Sequence, residues 1–444
     1  MRHAAATLLI VQTLLVAPAG AQDDDVPMLE YRRLIEAIRF VKAQYVTPVD
    51  DARLAAGCAS RLQGAAPVTD LTQIPTLLRR AHADARGDVP FVSLVNDCLT
   101  GMIGGLDARS EFLPAASASV RTRRDGGMFS QAAVGVELAR GSSTPEVVRA
   151  MEGSPAERAG VAPGDRLVEI DGWPTTGATL DAVVQRLRGA TGTPVTLLLE
   201  RAGVRTTVTV TREIVVEQSL SLRPLDTGVW HVRVSRLRDD TVRELERAAA
   251  KALDEAGPPR AGIVLDLRDN PGGLITAMVD LASAFLSEGL LVGQSDGRAP
   301  RASQRHLTRA RASVAPETSA PAGVAGTLRA ATLVVLVNGG TASGAEMIAA
   351  ALQTHGRARV AGWPTAGLGT IQAYHVLNDG GAIRLTIARW IGPGGEALEG
   401  RPVTPDVTLT TARGPAEPRR AAGDDPTLAQ AIEVLRQPPA ARTR

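Results

Sequence analysis

The chain reads as a multidomain protein of mixed α/β and α+β class: an N-terminal helical region, a small β-rich region and an α/β core. Three features predict this. Its 444 residues exceed what a single hydrophobic core ordinarily serves. The apolar period changes twice, from helical to strand-like near residue 132 and to alternating buried strands and helices after residue 212. The composition is globular, with 44% hydrophobic and 22% charged residues, but only 3% aromatics, so Leu, Val, Ala and Ile must build the cores. A net charge of +2, from 49 basic and 47 acidic residues, gives no electrostatic ground for a nucleic-acid or anionic-membrane partner.

Residues 1–21 have the form of a secretory signal. Arg2 and His3 make a short basic start, and Ala4 to Val16 is an apolar run short for a bilayer span. Ala19-Gly20-Ala21 supplies the small residues of a cleavage site. No later stretch is long and apolar enough to span, so the mature chain is expected to be exported, without a stable membrane span, and periplasmic in a cell with two membranes.

Residues 22–114 are helical in pattern, with Leu34, Ile35, Ile38, Val41 and Tyr45 near helical spacing. Further helices are predicted over Ala52–Leu62, Leu71–Ala85 and Phe91–Ile103, closed by a turn from Gly104 to Pro114. Cys58 and Cys98 both fall in this region. Export permits a disulfide between them, and two separate buried thiols are the alternative. No Cys/His spacing resembles a metal site, and no metal or cofactor is implied.

A small, polar linker over 115–131 leads to region 126–212. Short strands at Val134–Leu138 and Val147–Met151 precede a short helix within Gly153–Val161, ended by glycine. A strand at Leu167–Ile170, an amphipathic helix at Leu180–Leu187 and two closing strands follow. The core, 213–411, holds a strand at Trp230–Val234, a helix at Thr241–Ala256 and a buried strand at Gly262–Arg268. Residues 293–328, rich in Arg, Ala, Ser and Pro, read as an exposed loop. A second buried strand, Leu333–Val337, runs through Asn338-Gly339-Gly340-Thr341-Ala342 into Ser343 and a helix. A hairpin is expected from Ile371–Val376 and Ile383–Trp390. The tail, 412–444, reads as loose apart from a short helix at Leu428–Leu435.

A serine at the mouth of a helix, after a strand and a glycine turn, can be a nucleophile beside free backbone N–H groups. It can equally be an ordinary helix cap. The flanking chain favours the nucleophile. Region 126–212 resembles a PDZ domain, on Ser154-Pro155-Ala156, Ala159-Gly160 and Gly164-Asp165-Arg166-Leu167-Val168-Glu169-Ile170-Asp171-Gly172. The chain as a whole resembles the carboxyl-terminal processing (tail-specific) serine proteases. Five pieces occur in that family's order: Leu106–Leu113, the PDZ domain, Leu265–Leu274, Val337–Glu346, and Gly392 to Val407.

The resemblance implies proteolysis near protein C-termini. It places the nucleophile on Ser343, oxyanion donors near Gly272 or Gly273 and at Gly344, and a lysine-orienting residue on Gln372. In the PDZ domain it implies that Val134-Gly135-Val136 presents N–H groups to a terminal carboxylate. An apolar tail would then lie as an added strand against the helix of Leu180, Val184 and Leu187. A homo-oligomer or an adaptor partner is compatible with the sequence.

One residue departs from the pattern. The family segment runs Gly-Lys-Gly-x-x-Gln; here it is Gly367-Leu368-Gly369-Thr370-Ile371-Gln372, so Leu368 stands where the general base belongs. A serine hydroxyl without a base is a poor nucleophile. Only Lys42 and Lys251 are lysines, and Lys251 is expected behind the Asp266 strand. His355, twelve residues past Ser343, would be about 18 Å away along one helix. His375 is nearer but falls on the opposite strand face from Gln372. Glu346, one turn past Ser343, reads as a loop-orienting cap. Three readings follow: a peptidase with an impaired site, a pseudoprotease that binds tails or scaffolds a relative, or an envelope protein that keeps only the fold.

Overall fold

A computed structural model describes residues 26–437 apart from 63–67, 116, 119–131, 141–143, 152–153, 214–218, 310–321 and 411–424. The expected signal segment, Gly126-Gly127, most of the linker and most of the tail lie outside the described residues. The chain folds as two compact units. One combines the N-terminal helices, the α/β core and the C-terminal helix; the other is the β-rich region ending at Ser219.

Four helices open the first unit: α1 (Met28–Gln44), α2 (Asp51–Ala59), α3 (Ile74–Asp84) and α4 (Phe91–Gly104). Pro90 precedes α4 in extended conformation, as fits a helix start. Helices α2 and α4 touch through glycine: a Cβ on Gly101 would fall 2.1 Å from the carbonyl oxygen of Gly57. That approach brings Cys58 and Cys98 to a Cα separation of 4.0 Å, where they form a disulfide. Of the two cysteine alternatives, the bridge is the one present.

The helical region does not stand alone. Strand β1 (Glu111–Leu113) pairs antiparallel with a core strand, Phe112 opposite Ile383. The helices' apolar faces share one cluster with Leu377, Ile383 and Leu385. Sequence periodicity shows that these helices have an apolar face, but not which distant strand covers it.

The second unit is a six-stranded antiparallel sheet of β2 (Val136–Arg140), β3 (Pro145–Ala150), β4 (Arg166–Ile170), β5 (Trp173–Pro174), β6 (Pro194–Arg201) and β7 (Val204–Thr211). It carries α5 (Pro155–Arg158) and α6 (Leu180–Leu187). Ser154 caps α5, its hydroxyl accepting from Glu157 N–H, and Thr179 caps α6. The unit surrounds its own core of Val134, Val147, Leu167, Ile170, Val183 and Leu197.

The first unit's core is built on a sheet of order β17-β14-β13-β10-β9-β8. It comprises β8 (Leu220–Pro224), β9 (Val229–Val234), β10 (Gly262–Asp266), β13 (Leu333–Val337), β14 (Arg359–Gly362) and β17 (Val407–Thr408), parallel except for β8. All five residues of β10 and of β13 are buried, as continuous apolar runs in a sheet covered on both faces demand. One face meets α7 (Thr241–Ala256), α8 (Ile275–Phe285) and α10 (Gly344–Thr354). The other meets α11 (Pro426–Arg436), whose Leu428, Ala431, Ile432 and Leu435 join Val264, Val334 and Leu336. The expected short tail helix is thus a core element, because the sheet would otherwise expose that face.

Residues 293–328 are not one loop. They contain most of β11 (Leu291–Gly297), β12 (Gln304–Leu307) and the start of α9 (Ala322–Ala330). Strand β11 pairs with β16 (Ala382–Ile391), Ser295 opposite Trp390, in a sheet that also takes β15 (Thr370–Val376). Its partner lies nearly a hundred residues away, beyond the reach of any local pattern. The β15–β16 hairpin forms as the sequence predicts.

Candidate active site

The site lies at the carboxyl ends of the adjacent parallel strands β10 and β13, where open α/β sheets place ligands. Two turns leave these strands and clasp each other. Asn338 Oδ1 accepts the Asp269 and Gly340 N–H groups at 2.9 and 3.0 Å, and its amide donates to Asp269 Oδ1 at 2.8 Å. Thr341, buried, donates to the Leu267 carbonyl at 2.8 Å. Ala342 N–H reaches the Asn270 carbonyl at 2.9 Å.

Ser343 follows with φ +52° and ψ −120°, a conformation rare for a residue with a Cβ and costing about 1–3 kcal/mol. Glu346, fully buried one turn later, holds it there: Ser343 N–H donates to Glu346 Oε2 at 2.8 Å. A helix N-terminus also suits a carboxylate.

The same carboxylate grips the other side of the site. Glu346 Oε1 accepts Gly367 N–H at 2.7 Å and the Thr365 hydroxyl; Oε2 accepts Leu368 N–H at 2.8 Å. The backbone nitrogens of Ser343 and Leu368 therefore share one oxygen and lie at most twice 2.8 Å apart. Gly369 N–H donates to Glu399 Oε2 at 2.8 Å, so three consecutive N–H groups of the 367–369 loop end on carboxylates. The flanking glycines are required. Gly367 has φ +69°, and a Cβ on Gly369 would lie 2.0 Å from Glu399 N.

The β10 turn brings Gly272 and Gly273 beside Ser343. A Cβ on Gly272 would lie 2.9 Å from Gly344 N and 3.0 Å from Ser343 Cβ. Asn270, buried, orders the turn: its amide donates to the Val234 carbonyl at 2.9 Å and its Oδ1 accepts Gly272 N–H at 2.8 Å. Gly272 N–H is thereby spent. Gly273 N–H and Gly344 N–H have no protein acceptor among the described residues, the condition an oxyanion donor must meet. Of the two expected glycines at this turn, Gly273 has the open N–H and Gly272 gives the close approach to Ser343.

Asp266, at the end of β10, is fully buried beneath the turn. Arg268 donates to both its oxygens at 2.9 and 2.7 Å; Arg233 and His231 reach Oδ2 at 2.9 and 3.1 Å. Burial raises its pKa, but the Arg233 charge and the bonds from His231 and Arg268 outweigh it and hold the carboxyl well below 3.8.

Among the described residues, the lysines and histidines are engaged away from Ser343. Lys42 pairs with Asp51, and exposed Lys251 lies 3.9 Å from Glu255. His355 Nε2 meets the Leu291 carbonyl at 2.8 Å, and His306 meets Ser295. His375, the nearest candidate by sequence, instead bonds Glu36 of α1 at 3.0 Å and stacks on Phe40. Gln372 sits after a bulge in β15, donating to Thr370 Oγ1 at 2.8 Å. Asn270 and Glu399 lie within the sequence segments that carry the resemblance, but neither was given a role there. Glu399, thirty residues from the loop it holds, could not be tied to Gly369 by local spacing.

In the β-rich unit, Gly135 takes φ +81° between Val134 and Val136. Among the described residues strand β2 pairs on one side only, and an edge of this kind can take an added strand. On α6, Leu180 and Val184 form one half-buried stripe. Leu187 departs from expectation: it is buried in the core with Val183 and Val134, because i and i+4 share the inward face. Val134 can offer only its backbone. Gly153 lies outside the described residues.

Among the described residues, no three His, Cys, Asp or Glu side chains group as a metal site, and no helix is long and apolar enough to cross a membrane.

A model of peptidase family S41 matches residues 229–409, and a PDZ-domain model matches 146–201. The carboxy-terminal-processing protease of Bartonella bacilliformis is 32% identical over 320 residues, covering 71% of this chain and 69% of that protein. A probable CtpA-like serine protease of Staphylococcus aureus is 30% identical over 347 residues, 77% of this chain and 65% of that one. The photosystem II D1 C-terminal processing protease shares the fold, with a TM-score of 0.51 and 24% identity over 93% of this chain and 98% of that one. The chain belongs to the carboxy-terminal-processing proteases of peptidase family S41.

Proposed function

We propose that the chain is an exported serine peptidase of the C-terminal processing type whose nucleophile is Ser343 and whose turnover is depressed because Leu368 replaces the proton acceptor. One observation carries this reading. The strained Ser343 and the Leu368 loop hang from a single buried carboxylate, Glu346, beside the open N–H groups of Gly273 and Gly344. Attack of Ser343 Oγ on the scissile carbonyl would move the π electrons onto oxygen, where Gly273 and Gly344 N–H stabilise them. The hydroxyl proton then has solvent as its acceptor, at a cost on the order of 10²–10⁴ in rate. The oxyanion donors and substrate binding persist without a base, so residual cleavage is expected.

The substrates are proteins with apolar C-termini. The open edge of β2 beside Leu180 and Val184 supports strand addition of such a tail. The Cys58–Cys98 bridge favours an oxidising compartment such as the periplasm, in keeping with the signal-like residues 1–21.

A second reading, a tail-binding pseudoprotease that scaffolds a partner or a second copy, is favoured by the engagement of both lysines and every described histidine elsewhere. Degradation of an unfolded reporter with an apolar tail separates the two. Slow cleavage abolished by Ser343→Ala supports the peptidase. Tail binding without cleavage supports the pseudoprotease.

A further inference from the structure

The Leu106–Leu113 segment marks the family yet lies in the helical region and has no part in the chemistry above. Its central residue is Asp107, a half-buried carboxylate. Oδ1 accepts Arg109 N–H at 2.7 Å and Ser110 N–H at 2.8 Å, and Oδ2 accepts the Ser110 hydroxyl at 2.8 Å. Four protein groups thus converge on a short turn between α4 and β1 once Thr386 is added, whose hydroxyl lies 3.3 Å from Asp107 Oδ1.

Thr386 belongs to β16 and is buried. All its polar atoms are engaged with the helical region: its N–H meets Ser110 Oγ at 3.1 Å, and its carbonyl accepts Val46 N–H at 3.0 Å. On β15, directly opposite, stands Gln372, whose Nε2 lies 3.5 Å from the Thr386 hydroxyl and 2.8 Å from Thr370 Oγ1. Thr370 is two residues from Leu368. A continuous line of polar groups therefore runs from Asp107 through Thr386 to Gln372, at the edge of the loop held by Glu346.

We propose that Asp107 and Thr386 are positioning residues that fix the Gln372 amide beside the 367–369 loop, making the N-terminal helical region part of the catalytic apparatus. The proposal rests on the peptidase reading of Ser343. The chemistry suits the task. A carboxylate already saturated by two N–H groups and a hydroxyl holds Thr386 in one orientation, and Thr386 in turn limits where the Gln372 amide can turn. Without Thr386, Gln372, half-buried on a bulged strand, would keep Thr370 as its side-chain partner among the described residues.

The test uses the full chain carrying Asp107→Asn, Thr386→Val or Thr386→Ser, each also combined with Leu368→Lys. With isotope-labelled glutamine, the Gln372 side-chain amide signal is assigned by its loss in Gln372→Ala. It is expected to move in Asp107→Asn and Thr386→Val and to stay in Thr386→Ser. In the Leu368→Lys chain, kcat for reporter cleavage is expected to fall about tenfold in the first two, the worth of one hydrogen bond, with KM unchanged and recovery in Thr386→Ser. An unmoved Gln372 signal overturns the relay whether or not anything is cleaved. A moved signal with unchanged kcat overturns the positioning role. If Leu368→Lys cleaves nothing, the peptidase reading has failed and the positioning role falls with it, while the amide signal still decides whether the relay exists. Should Asp107→Asn not fold, Thr386→Val carries the test by itself.

Discussion

Replacing Leu368 by lysine asks the most of the site. The 367–369 loop does not depend on the side chain at 368. Its shape comes from Gly367 at φ +69°, the tight seat of Gly369 against Glu399, and three N–H groups bound to Glu346 and Glu399. A lysine would therefore inherit the present backbone. Ser343 N and Leu368 N both lie 2.8 Å from Glu346 Oε2, whereas a lysine stem reaches ~6 Å, so its amine can turn back to Ser343 Oγ. The position is half-buried, and desolvation lowers the amine's pKa towards working pH. A restored base is worth on the order of 10²–10⁴ in rate, or about 3–5 kcal/mol of barrier. The assay is kcat/KM on an unfolded reporter with an apolar tail, measured against pH. The expected profile rises with pH, because only the neutral amine accepts the proton, and is lost as pH falls through its pKa. A folded Leu368→Lys chain that cleaves no faster than the natural chain, while a fluorophosphonate still labels Ser343, would refute the assignment of position 368.

Other outcomes follow from the same geometry. Gly273→Ala should abolish any Ser343-dependent cleavage and destabilise the chain, because the new Cβ would fall 2.0 Å from the Leu237 carbonyl oxygen; activity and urea midpoint should drop together. Cys58→Ser with Cys98→Ser should cost roughly 2–4 kcal/mol of stability, seen as a lower Tm that added reductant does not lower further. Asp266 is buried and Asp107 half-buried, which alone would raise their pKa. Hydrogen bonds to Asp107, and the arginines around Asp266, hold both below 3.8 instead. Their stabilising contribution is therefore complete above that value and lost as pH falls below it, and Asp266→Asn should flatten the acid side of a stability–pH curve.

The buried strands β10 and β13 were legible because each is a short apolar run with β-branched residues, Ile263–Leu265 and Leu333–Val337, bounded by turn residues, as a covered strand demands. Ser343 was legible because a glycine turn must separate such a strand from its helix. Leu368 drew attention because Gly367, Gly369 and Gln372 keep their spacing on both sides of it. By itself, then, the sequence determined most elements and offered a candidate nucleophile and a candidate base position, all of which depend on residues near one another in the chain. Tertiary structure decided what is distant. It gave Gly273 rather than Gly272 the open donor, because Asn270 takes the Gly272 N–H. It turned Leu187 into the core and moved β11 out of its expected loop into the sheet. It sent His375 to Glu36 and joined the helical region to β16. Local pattern records which residues must be buried or must turn; which partner buries them, and which acceptor receives a given N–H, is settled only when the whole chain packs.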